Sequence, residues 1–162
     1  APTFVRTSTE IGDVAPPHCT ASGKAILAWL PESTALQSLG GRRLRTYTAK
    51  TITARPALLH HLRDVRAVGY AVDDEEYVTD VRCVAAPIFN HAGAVIASVG
   101  VSGLATRIGG ERLPQLAAMV LDPAARISRA LGNRAGEGLG RETAPQAKRA
   151  QRPMARSQRR GV

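Results

Sequence analysis

Hydrophobic positions follow a helical period at both ends of the central 130 residues or so and a strand-like period between them. In residues 21–30 (ASGKAILAWL) Ile26, Leu27 and Leu30 form an apolar stripe, with Thr20 or Ser22 able to cap the first turn. This predicts a helix ended by Pro31. Residues 32–39 read as a second short helix, broken by Gly40–Gly41. After a basic, Thr-rich connection over 42–53, residues 55–68 form the clearest amphipathic helix. There Leu58, Leu59, Leu62 and Val65 recur at helical spacing, and Gly69 is the stop.

The pattern then turns to strands. Residues 70–72 read as a short strand and residues 73–76 (DDEE) as an acidic turn. Residues 82–89 and 94–102 are two strands whose four-residue connection, NHAG, favours an antiparallel hairpin. On the last strand the period of two puts Ser98, Gly100 and Ser102 on one face and Val95, Ala97, Val99 and Val101 on the other. A long helix over 111–131 follows, with Leu113, Leu116, Val120, Ile127 and Leu131 on one side and Gly132 at its close. Pro123 is expected to bend or interrupt it. Residues 4–8 can add an edge strand. This order is not a βαβ alternation. It predicts an α+β domain, an antiparallel sheet with helices packed on its faces.

Composition changes this picture at one place, the C-terminal end. The chain has 162 residues and a net charge of +9. Residues 1–132 carry 14 basic against 11 acidic side chains, and residues 133–162 carry 8 against 2, so most of the excess is terminal. Residues 133–162 are rich in Gly, Pro, Gln and Arg and poor in large apolar side chains, which predicts a basic disordered tail after a domain over 1–132. Such a tail is either a solvated extension or a nonspecific nucleic-acid binder acting through counterion release. With 44 % hydrophobic but only 4 % aromatic residues, the core must be aliphatic. No apolar run approaches the length of a membrane span, and residues 1–10 lack the pattern of a signal peptide. Two cysteines cannot build a disulfide framework, which fits a reducing cytoplasm. The first residue is not Met, so a trimmed chain or fragment is expected.

Several enzyme signatures fail on inspection. SGKA (22–25) lacks the glycine and the Ser/Thr of a phosphate loop, since those positions are His18 and Ala25. GVSGL (100–104) ends in Leu104 where a nucleophile elbow needs glycine. No histidine or cysteine pair has metal-ligand spacing. Cys83, in CVAAPIF, reads as a packed strand thiol or, alternatively, as the centre of a cysteine-dependent enzyme or redox sensor with His18 or Cys19 nearby. One constellation survives. Ala21, Ser22 and Gly23 at a helix start leave backbone N–H groups for an anion, and the small face of the last strand offers room and hydroxyls. Together they predict a pocket for a small acid.

The same residues carry a family resemblance. PPHCTASGKAILAWLP (16–31), VRAVGYAVDDEEYVTDVRCVAAPIFNHAGAVIASVGVSG (65–103) and the closing RISRALG resemble the effector-binding domain of IclR-type bacterial transcription regulators. Four motifs occur in order: H-x-T-x-x-G-K-A, G-Y-A-x-D-x-E-E, C-V-A-A-P and V-S-G. The resemblance implies a GAF-like fold, a curved antiparallel sheet flanked by helices. It implies a small-molecule effector, often a carboxylate or aromatic acid, and homodimers or tetramers. No catalysis, cofactor or metal is expected. It places the pocket on Ala21, Ser22, Asp73, Cys83, Gly100 and Ser102, with Gly23 adding a backbone amide. Gly100 stands where the family commonly has Ser, which is expected to leave volume for a bulkier ligand. Operator DNA would be reached only through an N-terminal winged helix-turn-helix, of which residues 1–132 show no pattern.

Overall fold

The computed structural model describes Gly12, residues 14–41 and residues 43–134. The edge strand expected over 4–8 and all of the tail beyond Arg134 lie outside the described residues. Asn133, expected to open the tail, is instead buried, and its amide donates to the carbonyl of Ser128 at 2.9 Å.

The elements run α1 (Ala21–Leu27), α2 (Glu32–Ser38), α3 (Arg55–Val68), β1 (Ala71–Asp74), β2 (Val81–Phe89), β3 (Val95–Leu104) and α4 (Leu113–Ala130), the last entered through a 3₁₀ turn. The strands form one antiparallel sheet in the order β1-β2-β3. Helix α1 crosses all three strands on one face, backed by α3, and α4 covers the other. The domain is α+β, as its pattern predicts.

Two apolar layers follow from strand alternation. Val84, Ala86 and Ile88 of β2 meet Val120 and Ala124 of α4, with Ala97, Val99 and Val101 beside them. On the opposite face Ala71 and Ala85 pack with Ala21 and Ala25 of α1 and with Leu58, Leu62 and Val65 of α3. Small side chains on both sides let α1 lie close to the sheet. The segment before α1 also packs tightly on it, because a Cβ at Gly23 would stand 2.3 Å from the Cα of Pro17.

The structure corrects several sequence expectations. Helix α1 ends at Leu27, three residues early. Leu30 precedes a proline, which disfavours helical backbone, and Nε of Arg66 takes the Ala28 carbonyl at 2.6 Å. Asp73 and Asp74 belong to β1, and the turn lies beyond them. Asp74 pairs with Arg82 in the adjacent register position, so its charge is compatible with a strand. Helix α4 runs through Pro123 without interruption; the proline is half-buried, and Met119, whose carbonyl it leaves without a helical donor, is exposed to solvent. Its buried stripe is Ala117, Val120, Ala124 and Ser128, whereas Ile127 and Leu131 are exposed. Finally, a register shift at Ile88/Phe89 separates Val95 from the apolar row that begins at Ala97.

Candidate functional site

Strand register brings three of the expected residues together. Asp73 of β1 pairs with Cys83 of β2, and Cys83 pairs with Ser102 of β3, so the three side chains form one row across the sheet on the α1 side. Ser102 Oγ donates to Cys83 Sγ at 3.1 Å. Asp73 is buried, and its Oδ1 accepts the amides of Glu76 at 2.8 Å and Tyr77 at 3.4 Å. The next row along the sheet is Ala71, Ala85 and Gly100, with no polar side chain.

Ala21 lies on the first turn of α1, buried against Ala71 and Ala85. Ser22 is exposed. Gly23 does not offer a free amide, because its N–H donates at 3.3 Å to Oγ1 of Thr20, the cap of α1. Thr20 Oγ1 in turn donates to the carbonyl of Pro16 at 3.0 Å. Of the amides expected to form an anion site at the helix start, this leaves those of Ala21 and Ser22.

Gly100 corrects a second expectation. A Cβ at this position would stand 2.7 Å from the Val84 carbonyl oxygen and 2.9 Å from the Ala85 Cβ. Its missing side chain therefore serves close strand pairing and does not open ligand volume. A cleft of about 240 Å³ lies elsewhere, among the end of α1, α2 and α3, lined by residues including Trp29, Ala35 and Leu62. None of the expected site residues lines it.

The electrostatics of the row are those of a sheltered place. Burial pushes the Asp73 carboxyl up to about 6, against the pull of the two amides it accepts. Burial also raises the Cys83 thiol, and it raises Cys19 to about 12. Neither thiol is poised as a thiolate nucleophile, so nothing here favours a cysteine-dependent reaction. Among the described residues no cluster of three or more His, Cys, Asp or Glu side chains is placed to hold a metal, and no helix is long and apolar enough to cross a membrane.

Sequence reasoning missed two parts of this neighbourhood. Lys24 and Glu76 form a buried ion pair between α1 and the β1–β2 turn. The lysine of G-K-A and the last glutamate of D-x-E-E were its signals. The second part is the connection over residues 45–51. Thr48 Oγ1 donates to the Glu75 carbonyl at 2.7 Å and Thr51 Oγ1 to the Glu76 carbonyl at 2.6 Å. Tyr47 stacks edge-on with Tyr77 at 5.0 Å, and Nε2 of His18 bonds the Arg45 carbonyl at 2.9 Å.

Comparison with known proteins gives a consistent result. Residues 1–129 match the family described as bacterial transcriptional regulator IclR C-terminal. The HTH-type transcriptional regulator XynR of Escherichia coli K12 is 39 % identical over 124 residues, covering 76 % of this chain and 49 % of that protein. The chain thus spans about half the length of such curated relatives. The crystal structure of Thermotoga maritima IclR superposes with a TM-score of 0.74 at 35 % identity, covering 81 % of this chain and 53 % of that one. The inducer binding domain of PobR from Acinetobacter, a double mutant in complex with 3-hydroxybenzoic acid, gives 0.65 at 26 % identity, covering 80 % and 74 %.

Proposed function

The chain belongs to the IclR family of bacterial transcriptional regulators, matching its C-terminal domain, and from that premise we propose that it is the effector-sensing module of such a regulator and binds a small organic acid or aromatic metabolite. The observation that carries this reading is the Asp73–Cys83–Ser102 row, a buried acceptor and an exposed hydroxyl joined across three strands. The 3-hydroxybenzoic acid complex of the PobR domain supports the ligand class.

In this reading the ligand carboxylate accepts bonds from the Ala21 and Ser22 amides and the Ser102 hydroxyl. Asp73 faces a ligand hydroxyl or holds a proton, because two bare carboxylates in contact repel. Cys83 supplies a soft wall and a weak donor. The module is not an enzyme. It works in the cytoplasm as a homodimer or tetramer, and it reaches operator DNA through an N-terminal winged helix-turn-helix. Ligand alters DNA binding only so far as it binds two protomer arrangements with different affinity.

Calorimetry against glycolate, lactate, benzoate and 3-hydroxybenzoate tests the site. The parent is expected to bind at least one of them, and Asp73→Ala and Ser102→Ala to bind it at least fivefold more weakly. Equal heats for all three proteins remove these residues from the site.

A further inference from the structure

Two charged side chains sit in the interior beside the row. Lys24 of α1 has no exposure and Glu76 has 6 %, and Nζ of Lys24 donates to Oε1 of Glu76. A buried ion pair brings little net stability over an apolar pair of similar volume, since desolvation offsets attraction. This pair is also underfilled. Oε2 of Glu76 is buried with no hydrogen-bond partner, and Lys24 makes one side-chain bond with its three donors. A device selected for stability alone would be saturated or apolar.

Its placement suggests a different use. Strand alternation from Asp73, which faces α1, would turn Glu76 to the other side of the sheet. Glu75 breaks that phase with a left-handed backbone, φ +60°, uncommon for a residue with a side chain. Glu76 then points inward, and its own amide holds Oδ1 of Asp73. The Thr48 and Thr51 hydroxyls donate to the Glu75 and Glu76 carbonyls. Lys24 follows Gly23 in α1, whose first turn carries Ala21 over the sheet. The ion pair is therefore the polar link between the two segments that carry the expected site.

We propose that Lys24 and Glu76 are positioning residues of the effector site: their bond holds the start of α1 over the Asp73–Cys83–Ser102 row and sets the access to it. This rests on the effector reading above.

The test uses two variants of the full chain. Lys24→Met/Glu76→Leu replaces the pair by apolar side chains of similar size, and Glu76→Gln keeps the shape. Iodoacetamide alkylation at pH 8 is followed by peptide mass spectrometry, which separates Cys83 from Cys19. The apolar pair is expected to melt within about 5 °C of the parent while its Cys83 reacts at least tenfold faster. A pair serving stability alone would be replaced with no change at Cys83. In Glu76→Gln, exchange of the Glu76 and Tyr77 amides is expected to rise at least tenfold while α4 amides keep their parent rates. Parent-like rates in both assays overturn the proposal, and if the apolar pair fails to fold, amide exchange in Glu76→Gln decides it. Both assays are run without ligand. A parent that binds none of the four acids therefore counts against the effector reading and leaves the link between α1 and the turn standing.

Discussion

Ser102 and Cys83 face each other across the β2–β3 pair, and the serine hydroxyl donates to the thiol at 3.1 Å. Because Ser102 is exposed while Cys83 is half-buried against the α1 layer, the hydroxyl marks the open end of the row and the thiol its middle. A hydroxyl that can turn from a sulfur, a weak acceptor, to a carboxylate exchanges a poor bond for a charge-assisted one. Ser102→Ala should therefore weaken acid binding about five- to twentyfold, the equivalent of about 1–2 kcal/mol, and shift the melting temperature little. Calorimetry and a thermal melt on the same samples check both halves.

The thiols should be slow. Burial, with Asp73 and Glu76 adding to it, raises Cys19 to about 12, and burial raises Cys83. At pH 8 the reactive thiolate is then scarcer in the folded protein than in the unfolded chain. Alkylation of the native protein is expected to run at least tenfold slower than in guanidinium, with Cys19 the slower of the two. A Cys83 that reacts as fast folded as unfolded, or faster, would revive the redox-sensor reading.

How much of this was legible in the sequence depends on whether contacts or periodicity decide. The α3 bounds 55–68 emerged in full, because Leu58, Leu62 and Val65 give a clean stripe and Gly69 takes the left-handed stop, φ +83°. The Asp73–Cys83–Ser102 row was legible only through family resemblance, since register between strands depends on pairing that no local pattern states. The end of α1 was misplaced because Arg66, 38 residues away, takes the Ala28 carbonyl. The Lys24–Glu76 pair was overlooked for the same kind of reason. A lysine and a glutamate 52 positions apart look like solvated charges until the turn at Glu75 brings them together. Gly100 predicts empty volume because a sequence shows a missing side chain and not the strand pressed against it.

That last point gives a test by substitution. Gly100→Ser adds the hydroxyl common in the family, yet its Cβ must enter space within 2.7 Å of a β2 carbonyl oxygen. The expected result is a loss of about 1–3 kcal/mol in denaturant unfolding, the usual cost of overpacking, and no gain in acid affinity. Gly23→Ala should cost more, because the new Cβ would meet three backbone atoms of Pro17, the nearest at 2.3 Å. If Gly100→Ser is neutral and binds acid more tightly, the position is a pocket wall after all.

Asp73 makes the stability of the domain depend on pH in a direction opposite to that of an ordinary salt-bridged carboxylate. Burial lifts its carboxyl from 3.8 to about 6, so the folded state holds the proton more firmly than the unfolded chain does. The resulting stabilisation is full below about pH 4 and is lost as pH rises through about 6, a difference of about 3 kcal/mol. Burial raises Glu76 in the same sense, while Asp74 and Glu75, held down by Arg82 and Lys50, act oppositely at lower pH. The parent curve alone is therefore a sum, and the informative quantity is its difference from Asp73→Asn. Asparagine keeps an oxygen for the Glu76 and Tyr77 amides and cannot ionise, so the variant should lose less stability than the parent between pH 4 and 7. Unfolding in urea at half-unit pH steps measures this. Parallel curves across that interval would mean that Asp73 titrates as a solvated carboxylate. The sheltered row on which the proposed effector site rests would then be open to water.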